Sequence, residues 1–528
     1  MRFETDGEKP IMTQTKRIIL NVFATYGRSL LVMFCGLFTS RWVLHALGTE
    51  AYGVFGVVGA IISLVTIVNG MLSASVSRYY AFAYGKASIA ADKAAAEDDC
   101  CRWFNVALFV HTLLPMTFAA VGVFVGDWAI EHYFTIPDAL RPTSHFVFYF
   151  TLLTVTVGMI NVPFRAMFVA QQLIAELTVI DIFVPIVNVG CAWWLLSYGG
   201  DKLFFNALYT MGLSVLSAVL IAARAVFVFP ACRIDFRKMW DLCRIRQLMT
   251  FAGWQFVGWI GYTCRTQGVA VIVNKMLGLQ YNSTMTVAGT VTAKAATLSN
   301  SLTGAFTPAV TNAAGAGDRS MMCALALRSC KFGTLLCAVF AIPLIVEMKY
   351  VIGIWLTTIP PQTAPMCVVV MTVLFLDKMT GGALSAILAT GDIRTHEIWN
   401  SLFFFVALGV AYLAVRFTQF GILGVGIGFA ANAFLCMILK MTLWKTQLHF
   451  PLRPWLRFAG WFMISGAVSF LLASGIRLVM AESFVRLCVS TAICILTFSG
   501  LSYLTVLDVE ERAFIVMRIV NRWRKKNA

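Results

Sequence analysis

Charged residues are scarce in this sequence, and their scarcity excludes a chain built of soluble domains. Of its 528 residues, 12% are charged and 59% are apolar, whereas soluble globular domains carry roughly 25% charged residues. Apolar stretches of about 18 residues or more recur along the whole chain, and that length lets a helix cross a hydrocarbon core about 30 Å thick. The sequence therefore predicts an all-α polytopic membrane protein.

Motifs for metals, nucleotides and secretion are also missing. The 14 cysteines and six histidines form no Cys-x-x-Cys pair or other metal-ligand spacing, so we expect no metal and no cofactor. There is no Gly-x-x-x-x-Gly-Lys-Ser/Thr loop, which argues against ATP hydrolysis. The polar start Met1–Arg17 runs into the first apolar stretch without a small-residue cleavage site, so we expect no signal peptide. Met1 and Met12 are both plausible translation starts.

About fourteen stretches have the length and hydropathy of transmembrane helices. They are residues 18–40, 52–77, 104–126, 145–164, 174–198, 204–223, 247–270, 281–309, 332–346, 364–390, 398–415, 421–439, 458–476 and 487–507.

The basic residues predict the topology of these spans. Most of the 41 lysines and arginines fall on one side of the membrane if the N-terminus is cytoplasmic. They include the run from Arg233 to Arg246 and the tail after Arg518, whereas the external loop around Glu131 is acidic. This bias satisfies the positive-inside rule with both termini cytoplasmic. The charges then anchor the topology, and we expect no binding of nucleic acid.

A weak internal repeat divides the first twelve spans into two halves. A shift of 230 residues aligns eight identities, which include Gly48 with Gly278 and Gly85 with Gly315. The two halves have the same orientation, as expected for parallel repeats about an axis along the membrane normal. We predict four segments: an N-lobe at 1–229, a cytoplasmic linker at 230–246, a C-lobe at 247–445, and two further helices with a basic tail at 446–528.

Few ionisable residues lie within the spans, where each costs roughly 2.5–3.5 kcal/mol at a helix centre and therefore needs a partner, a wet cavity or a function. The cations are Arg28, Arg265, Lys294 and Lys378, and the acids that lie well inside a span are Asp181 and Asp377. Spans 1, 2, 7 and 8 contain no acid. We therefore expect the cations of spans 1, 7 and 8 to line a wet, positively charged cavity.

Polar residues mark one face of the same spans. In span 8, hydroxyl side chains recur at steps of three and four around Thr290 and Lys294, and in span 7 Trp259, Tyr262 and Arg265 share a broad face. Such faces line a cavity or pack between helices, and both interpretations stay open here. The candidate substrate-binding residues are Arg28, Trp259, Tyr262, Arg265, Thr290 and Lys294. Asp181 and Asp377 are candidates for proton or sodium coupling, or for structural ion pairs with nearby cations.

The stretch Arg41–Gly53, RWVLHALGTEAYG, contains a Leu-Gly-x-x-x-Tyr-Gly motif and resembles the start of bacterial polysaccharide transporters. These are the oligosaccharide-lipid flippases of the multidrug/oligosaccharidyl-lipid/polysaccharide exporter superfamily. The resemblance implies two six-helix lobes around a central cavity that opens alternately to either side, with two extra C-terminal helices forming a groove for an isoprenoid tail. It also implies flipping of an undecaprenyl-pyrophosphate-linked oligosaccharide to the periplasmic face of the bacterial inner membrane. A monomer with glycan polymerases or glycosyltransferases as partners fits this function.

Two other functions stay open. A cation-coupled multidrug exporter of the same superfamily often carries an acid in its first span, and this chain has none there. A membrane glycan polymerase usually presents a large external loop, and the external loops here are short. A cavity with arginine and no acid favours an anion, because the guanidinium fork matches phosphate oxygens. We therefore expect an anionic substrate and no enzymatic activity.

Overall fold

The computed structural model describes residues 10–132, 136–356, 359–509 and 511–513, and all regular structure in these ranges is helical. Two short 3-10 turns, Pro230–Cys232 and Phe236–Lys238, follow the sixth of sixteen α-helices. The helices are α1 Pro10–Ile89, α2 Lys93–His132, α3 Arg141–Ile160, α4 Val162–Ala170, α5 Ile174–Leu195, α6 Lys202–Val228, α7 Leu242–Leu277, α8 Leu279–Gly315, α9 Arg319–Val346, α10 Met348–Trp355, α11 Thr363–Lys378, α12 Gly381–Thr390, α13 Arg394–Phe417, α14 Leu423–Leu448, α15 Arg453–Val479 and α16 Phe484–Thr505.

The described helices confirm an all-α polytopic membrane protein. Ten are long and apolar enough to cross a membrane, and the pair α11–α12, bent by 44°, would make an eleventh. Helices α7 and α8 are 36 and 37 residues long but are not among the ten, and both carry the polar faces noted in the sequence. Most side chains between residues 52 and 64, in the second predicted span, lie outside the described residues.

The helices form two compact units. Unit 1 consists of Met1–Phe256, Pro308–Met322 and Ala389–Gly391, and unit 2 consists of Val257–Thr307, Cys323–Leu388 and Asp392–Ala528. The lobe and linker boundaries given in the sequence analysis remain predictions.

The core of unit 1 lies where the second half of α1 packs against α2, α4 and α6. Tyr80, Phe104 and Phe168 are fully buried there, and the ring of Phe168 meets Phe229 edge-on at a centroid distance of 4.9 Å. A second cluster around Phe148 joins α2 to α3. These apolar contacts fix the short helix α4 against α1.

The basic segment predicted as a cytoplasmic linker packs on the start of α2. Lys238 Nζ lies 2.7 Å from Asp98 Oδ1, and Asn105 Nδ2 donates to the carbonyl oxygen of Arg233 at 2.9 Å. Both segments are predicted on the same side of the membrane, and their contact agrees with that placement. The side itself remains a prediction, and the basic tail after Arg518 lies outside the described residues.

In unit 2, the last two helices are joined to the rest by buried polar contacts. Arg486 of α16 lies 2.7 Å from Glu347, with the two side chains 6% and 1% exposed. Trp455 of α15 donates to the carbonyl oxygen of Met379 at 2.9 Å, and Arg477 donates to that of Val346 at 3.1 Å. Helices α15 and α16, which also pack on each other, are therefore an integral part of unit 2.

Two pairs of glycines give the weak sequence repeat a geometric basis. Gly48 interrupts α1 with a φ of +75°, and Gly278 separates α7 from α8 with a φ of +97°. The two positions are related by the shift of 230 residues, and both need a backbone conformation that glycine adopts without strain.

The second pair marks a helix crossing inside unit 1. A Cβ atom on Gly85 would lie 1.9 Å from the carbonyl oxygen of Asn312, and one on Gly315 would lie 2.0 Å from that of Phe82. Residues 82 and 312 are themselves related by the shift of 230. The two contacts are therefore images of each other, as a two-fold internal repeat requires.

Candidate functional site

The charged group of unit 1 consists of Arg28 from α1, Arg165 from α4 and Asp181 from α5. Arg28 Nη1 lies 2.6 Å from Asp181 Oδ2, and Arg165 Nη2 lies 2.8 Å from the same oxygen. The Asp181 side chain is 13% exposed, and the two arginine side chains are 34% and 35% exposed. One nearly buried carboxylate thus compensates two cations, and the group keeps a net positive charge.

The expectation that Arg28 has no carboxylate to neutralise it is therefore wrong. Spans 1, 2, 7 and 8 contain no acid, but Asp181 reaches Arg28 from α5, which packs along α1. The ion-pair interpretation of Asp181 describes the geometry in this structure.

Sequence reasoning did not select Arg165, although a signal was present. The fourth predicted span ends at residue 164, which places Arg165 in a loop. In the structure, the helix breaks at Asn161, and α4 begins with Pro163 in its first turn. Proline prefers that position because it has no N–H to leave unpaired. The Asn161–Pro163 sequence thus marks a break that is followed at once by a charged residue.

The charged group of unit 2 centres on Asp377 at the end of α11. Asp377 Oδ1 lies 3.0 Å from Lys440 Nζ of α14, and its Oδ2 lies 3.3 Å from Lys378 Nζ. Lys378 also donates to Asn300 Oδ1 of α8 at 2.7 Å. The two lysine side chains are 6% and 12% exposed, whereas that of Asp377 is 52% exposed. The acid again compensates two cations, and each of its oxygens has a lysine partner.

Arg265 of α7 sits among aromatic rings of unit 2. Its guanidinium carbon lies 4.7 Å from the ring centroid of Phe404, 5.0 Å from that of Phe429 and 5.2 Å from that of Tyr262. Its Nε atom is buried without a hydrogen-bond partner, and no carboxylate among the described residues lies within 4.0 Å of it. Cation–π contacts of this kind stabilise a cation by about 0.5–2 kcal/mol each. They do not neutralise the charge of Arg265, so the guanidinium can still bind an anion.

The polar face of α8 is open in this structure rather than packed against a neighbouring helix. Thr286, Thr290, Lys294 and Thr297 are all exposed, and the three threonine hydroxyls donate to carbonyl oxygens one turn earlier in the same helix. In the described part of the chain, Lys294 has no carboxylate within 4.0 Å. This exposure supports the interpretation of the face as the lining of a wet cavity.

The two aromatic candidates of α7 have different surroundings. Tyr262 is 48% exposed and packs edge-on against Phe404, with ring centroids 5.9 Å apart. Trp259 is only half-buried. Tyr262 therefore serves two purposes here, because its ring supports Arg265 and also presents a face to the surroundings.

Taken together, the charged groups described above are predominantly positive. In unit 1, Arg28 and Arg165 share Asp181. In unit 2, Lys378 and Lys440 share Asp377, while Arg265 and Lys294 have no carboxylate within 4.0 Å among the described residues. An uncompensated charge at membrane depth faces water or binds a partner of opposite sign. Both sites can therefore attract an anion, and neither offers a free carboxylate oxygen pair to an organic cation.

No family model matches the sequence, and no curated protein matches it either. Solved structures do match. A crystal structure of a MATE variant aligns with a TM-score of 0.69 at 15% identity, over 83% of this chain and 96% of that one. A multidrug resistance MATE family transporter of the MOP superfamily in the outward-facing conformation aligns with a TM-score of 0.67 at 15% identity, over the same shares. The chain has the fold of the MATE transporters.

A third solved structure also matches. It is a MOP superfamily transporter from Pyrococcus furiosus, described as having a binding pocket of reverse polarity that suggests a different function. It aligns with a TM-score of 0.68 at 14% identity, over 83% of this chain and 96% of that one. These likenesses establish the fold. The finer resemblance to polysaccharide transporters stays a prediction, and the side chains of Thr49, Glu50 and Tyr52 in its motif lie outside the described residues.

Proposed function

We propose that this protein is a flippase that exports an anionic, isoprenoid-pyrophosphate-linked oligosaccharide across the bacterial inner membrane by alternating access. The observation that carries the proposal is Arg265, a partly buried cation that contacts aromatic rings and has no carboxylate partner among the described residues. A planar guanidinium binds two phosphate oxygens at once, and the low dielectric of a membrane cavity strengthens the pairing. The fold, which matches known membrane transporters, supports a carrier rather than an enzyme.

In this proposal, different residues of unit 2 bind different parts of the substrate. Arg265 and Lys294 bind the pyrophosphate, and Thr290, one turn before Lys294 on the same exposed face, donates to a phosphate or sugar oxygen. Trp259 and Tyr262 stack on sugar rings. Arg28 no longer belongs to the free cations of the site, since Asp181 holds it, and it contributes only when that contact opens.

Asp181 and Asp377 remain proposed sites of ion coupling. A carboxylate that already contacts two cations is a poor sodium site, because the cations repel a third positive charge. Protonation is the change that fits the geometry. A proton on Asp181 would weaken its hold on Arg28 and Arg165, and a proton on Asp377 would do the same for Lys378 and Lys440.

A multidrug exporter of the same fold is the second candidate, and the half-exposed carboxylate of Asp377 is the observation in its favour. Organic cations need an acidic group that is free to receive them. Each oxygen of Asp377 instead has a lysine within 3.3 Å, which favours the anionic substrate.

The test is surface-glycan export in cells that depend on the introduced protein, with membrane abundance measured in parallel. Loss of one guanidinium from a buried charged contact typically costs about 2–5 kcal/mol, or roughly 30-fold to several thousand-fold in affinity. We therefore expect Arg265→Ala to abolish export at normal abundance, and Arg265→Lys to impair it, because an ammonium lacks the bidentate fork. Arg416→Ala, an exposed cation at the end of α13, is the matched control and should export normally.

Resistance to cationic dyes separates the two candidates. Under our proposal, cells with the protein and cells without it are equally resistant to cationic dyes. Normal glycan export by Arg265→Ala and Lys294→Ala variants at normal abundance would show that the site assignment is wrong. Dye resistance that is lost on Asp377→Asn substitution would identify the multidrug exporter instead.

A further inference from the structure

Two adjoining cavities open at one end of unit 2, and none of the residues proposed above to bind the substrate lines them. Their volumes are about 190 and 670 Å³, and both are lined by Lys331 of α9, Pro454 and Arg457 of α15, and Asp508 just after α16. Arg453 also lines the larger cavity. All these segment ends are predicted on the cytoplasmic side of the membrane, and their meeting in one place agrees with that topology.

The charge of these cavities is positive and only partly compensated. Lys331, which is 4% exposed, contacts Asp508 and lies 3.5 Å from Glu511. Arg453 and Arg457 are exposed, and neither has a carboxylate within 4.0 Å in the described part of the chain. Being four residues apart on α15, they project from the same face. The buried lysine is thus neutralised, and the arginine pair is left for an anion.

The backbone at this point adds to the attraction. α15 begins at Arg453 without a side-chain cap, and its second residue is Pro454, which has no N–H to donate. The N-terminal end of a 27-residue helix carries a partial positive charge. Both arginines line the larger cavity, and together with the positive end of the helix they favour an anionic group such as a phosphate over a cation.

An apolar stripe continues from the arginines along α15. Trp461, Ile464, Val468 and Leu471 follow Arg457 at steps of four, three, four and three residues, and they are 40%, 53%, 37% and 67% exposed. The stripe from Arg457 to Leu471 is about 21 Å long at 1.5 Å per residue. A tryptophan between the charged and apolar parts is typical of the membrane interface. The face therefore has the shape of an amphiphile, cationic at one end and apolar along the rest.

We propose that this face binds an anionic glycerophospholipid of the surrounding membrane. Its phosphate lies between Arg453, Arg457 and the first turn of α15, and an acyl chain lies along the stripe from Trp461 to Leu471. Basic pockets between transmembrane helices on the cytoplasmic side are known to bind anionic lipid head groups. The site is separate from Arg265 and Lys294, which we propose to bind the pyrophosphate, but it lies on α15, one of the two C-terminal helices for which the family resemblance implies an isoprenoid groove.

The experiment uses the purified full-length protein, stripped of lipid in neutral detergent. Phosphatidylglycerol, phosphatidylcholine and inorganic phosphate are titrated separately, with bound lipid counted by native mass spectrometry and the Tm recorded. We expect phosphatidylglycerol to bind and raise the Tm well below the concentrations at which phosphatidylcholine does. The double variant Arg453→Gln/Arg457→Gln should bind phosphatidylglycerol about thirtyfold more weakly, from the attraction typical of two basic residues near a lipid head group.

The control variant, Arg319→Gln/Lys445→Gln, removes two exposed cations that are predicted on the same side of the membrane, and it should bind phosphatidylglycerol as the wild type does. Equal binding of the two lipids by the wild type would overturn the proposal without any variant. So would a Tm rise with inorganic phosphate that equals the rise with phosphatidylglycerol, or a control variant that is weakened as much as the arginine variant.

Discussion

Replacement of Asp181 by asparagine tests whether this residue is the ionic centre of unit 1. The substitution keeps the size and one carbonyl oxygen of the side chain, but it removes the negative charge that Arg28 and Arg165 share. Both guanidiniums then remain near each other with no carboxylate in contact. We expect the protein to become less stable because of this uncompensated positive charge.

The exposure of the arginines sets the size of the effect. Removing one partner of a fully buried ion pair costs about 3–5 kcal/mol, whereas an exposed pair contributes at most about 1 kcal/mol. The Arg28 and Arg165 side chains are about a third exposed, so we expect Asp181→Asn to cost about 2–3 kcal/mol. The same helix supplies a matched control in Glu176, which contacts Arg224. The side chain of Glu176 is 32% exposed and that of Arg224 is 53% exposed. Glu176→Gln should cost less than about 1 kcal/mol.

The free energy of unfolding is measured in mixed micelles by titration with a denaturing detergent, followed by loss of helical circular dichroism. The double variant Asp181→Asn/Arg165→Gln removes one of the two uncompensated cations, so it should be more stable than Asp181→Asn alone. Wild-type stability of Asp181→Asn would refute the reasoning. So would strictly additive costs in the double variant, since contacting residues in one network do not behave independently.

Two further predictions concern contacts inside each unit. Gly85→Ala places a methyl group against the backbone of Asn312 and should lower the free energy of unfolding by about 1–3 kcal/mol. The control Gly304→Ala, with open space around it, should be neutral or stabilising by up to about 1 kcal/mol. Unfolding in denaturing detergent compares the two variants. Arg486→Ala leaves Glu347 buried and unpaired and should lower the free energy of unfolding by about 3–5 kcal/mol. Replacement of the exposed Lys349 by alanine should lower it by less than about 1 kcal/mol. A similar Tm for both variants would contradict this account.

The sequence was sufficient to predict the helical, polytopic architecture, because span length and hydropathy are local properties. The same locality explains where the prediction failed. Arg165, Lys331 and Lys440 each lie one residue outside a predicted span, yet each lies inside a helix in the structure, and Lys331 and Lys440 are buried. A hydropathy profile ends a span wherever a charge lowers the local average. Buried cations near span ends are therefore assigned to loops by the method itself.

The partners of the charged residues were beyond sequence reasoning for a different reason. Asp181 meets Arg28 across 153 positions of the chain and Asp377 meets Lys440 across 63, and no periodicity within a single span reports such a contact. The glycine pairs show the opposite case. Gly48 and Gly278 align in the weak repeat because both need a positive φ, so a backbone requirement was visible in the sequence even where few other identities survived.

The geometry of both acids also fixes the sign of any coupling between protons and substrate. A proton on Asp181 or Asp377 frees cations that bind an anion, so proton and anionic substrate favour each other's binding and would travel in the same direction. An inward proton gradient then opposes export, under our proposal for the function. The membrane potential acts in the required direction. A negative charge that moves outward from a negative interior releases about 2.3 kcal/mol of free energy per 100 mV.

We therefore expect export of a pyrophosphate-linked substrate to follow the membrane potential. The measurement uses proteoliposomes in which a potassium gradient with valinomycin sets the potential, and buffers inside and outside set the pH difference independently. Collapse of the potential at constant pH difference should slow transport of the anionic lipid, and Asp181→Asn should leave that dependence in place. Transport that follows the pH difference and ignores the potential would show that protons move against the substrate. In that case the cations released by Asp181 and Asp377 are not the ones that bind it.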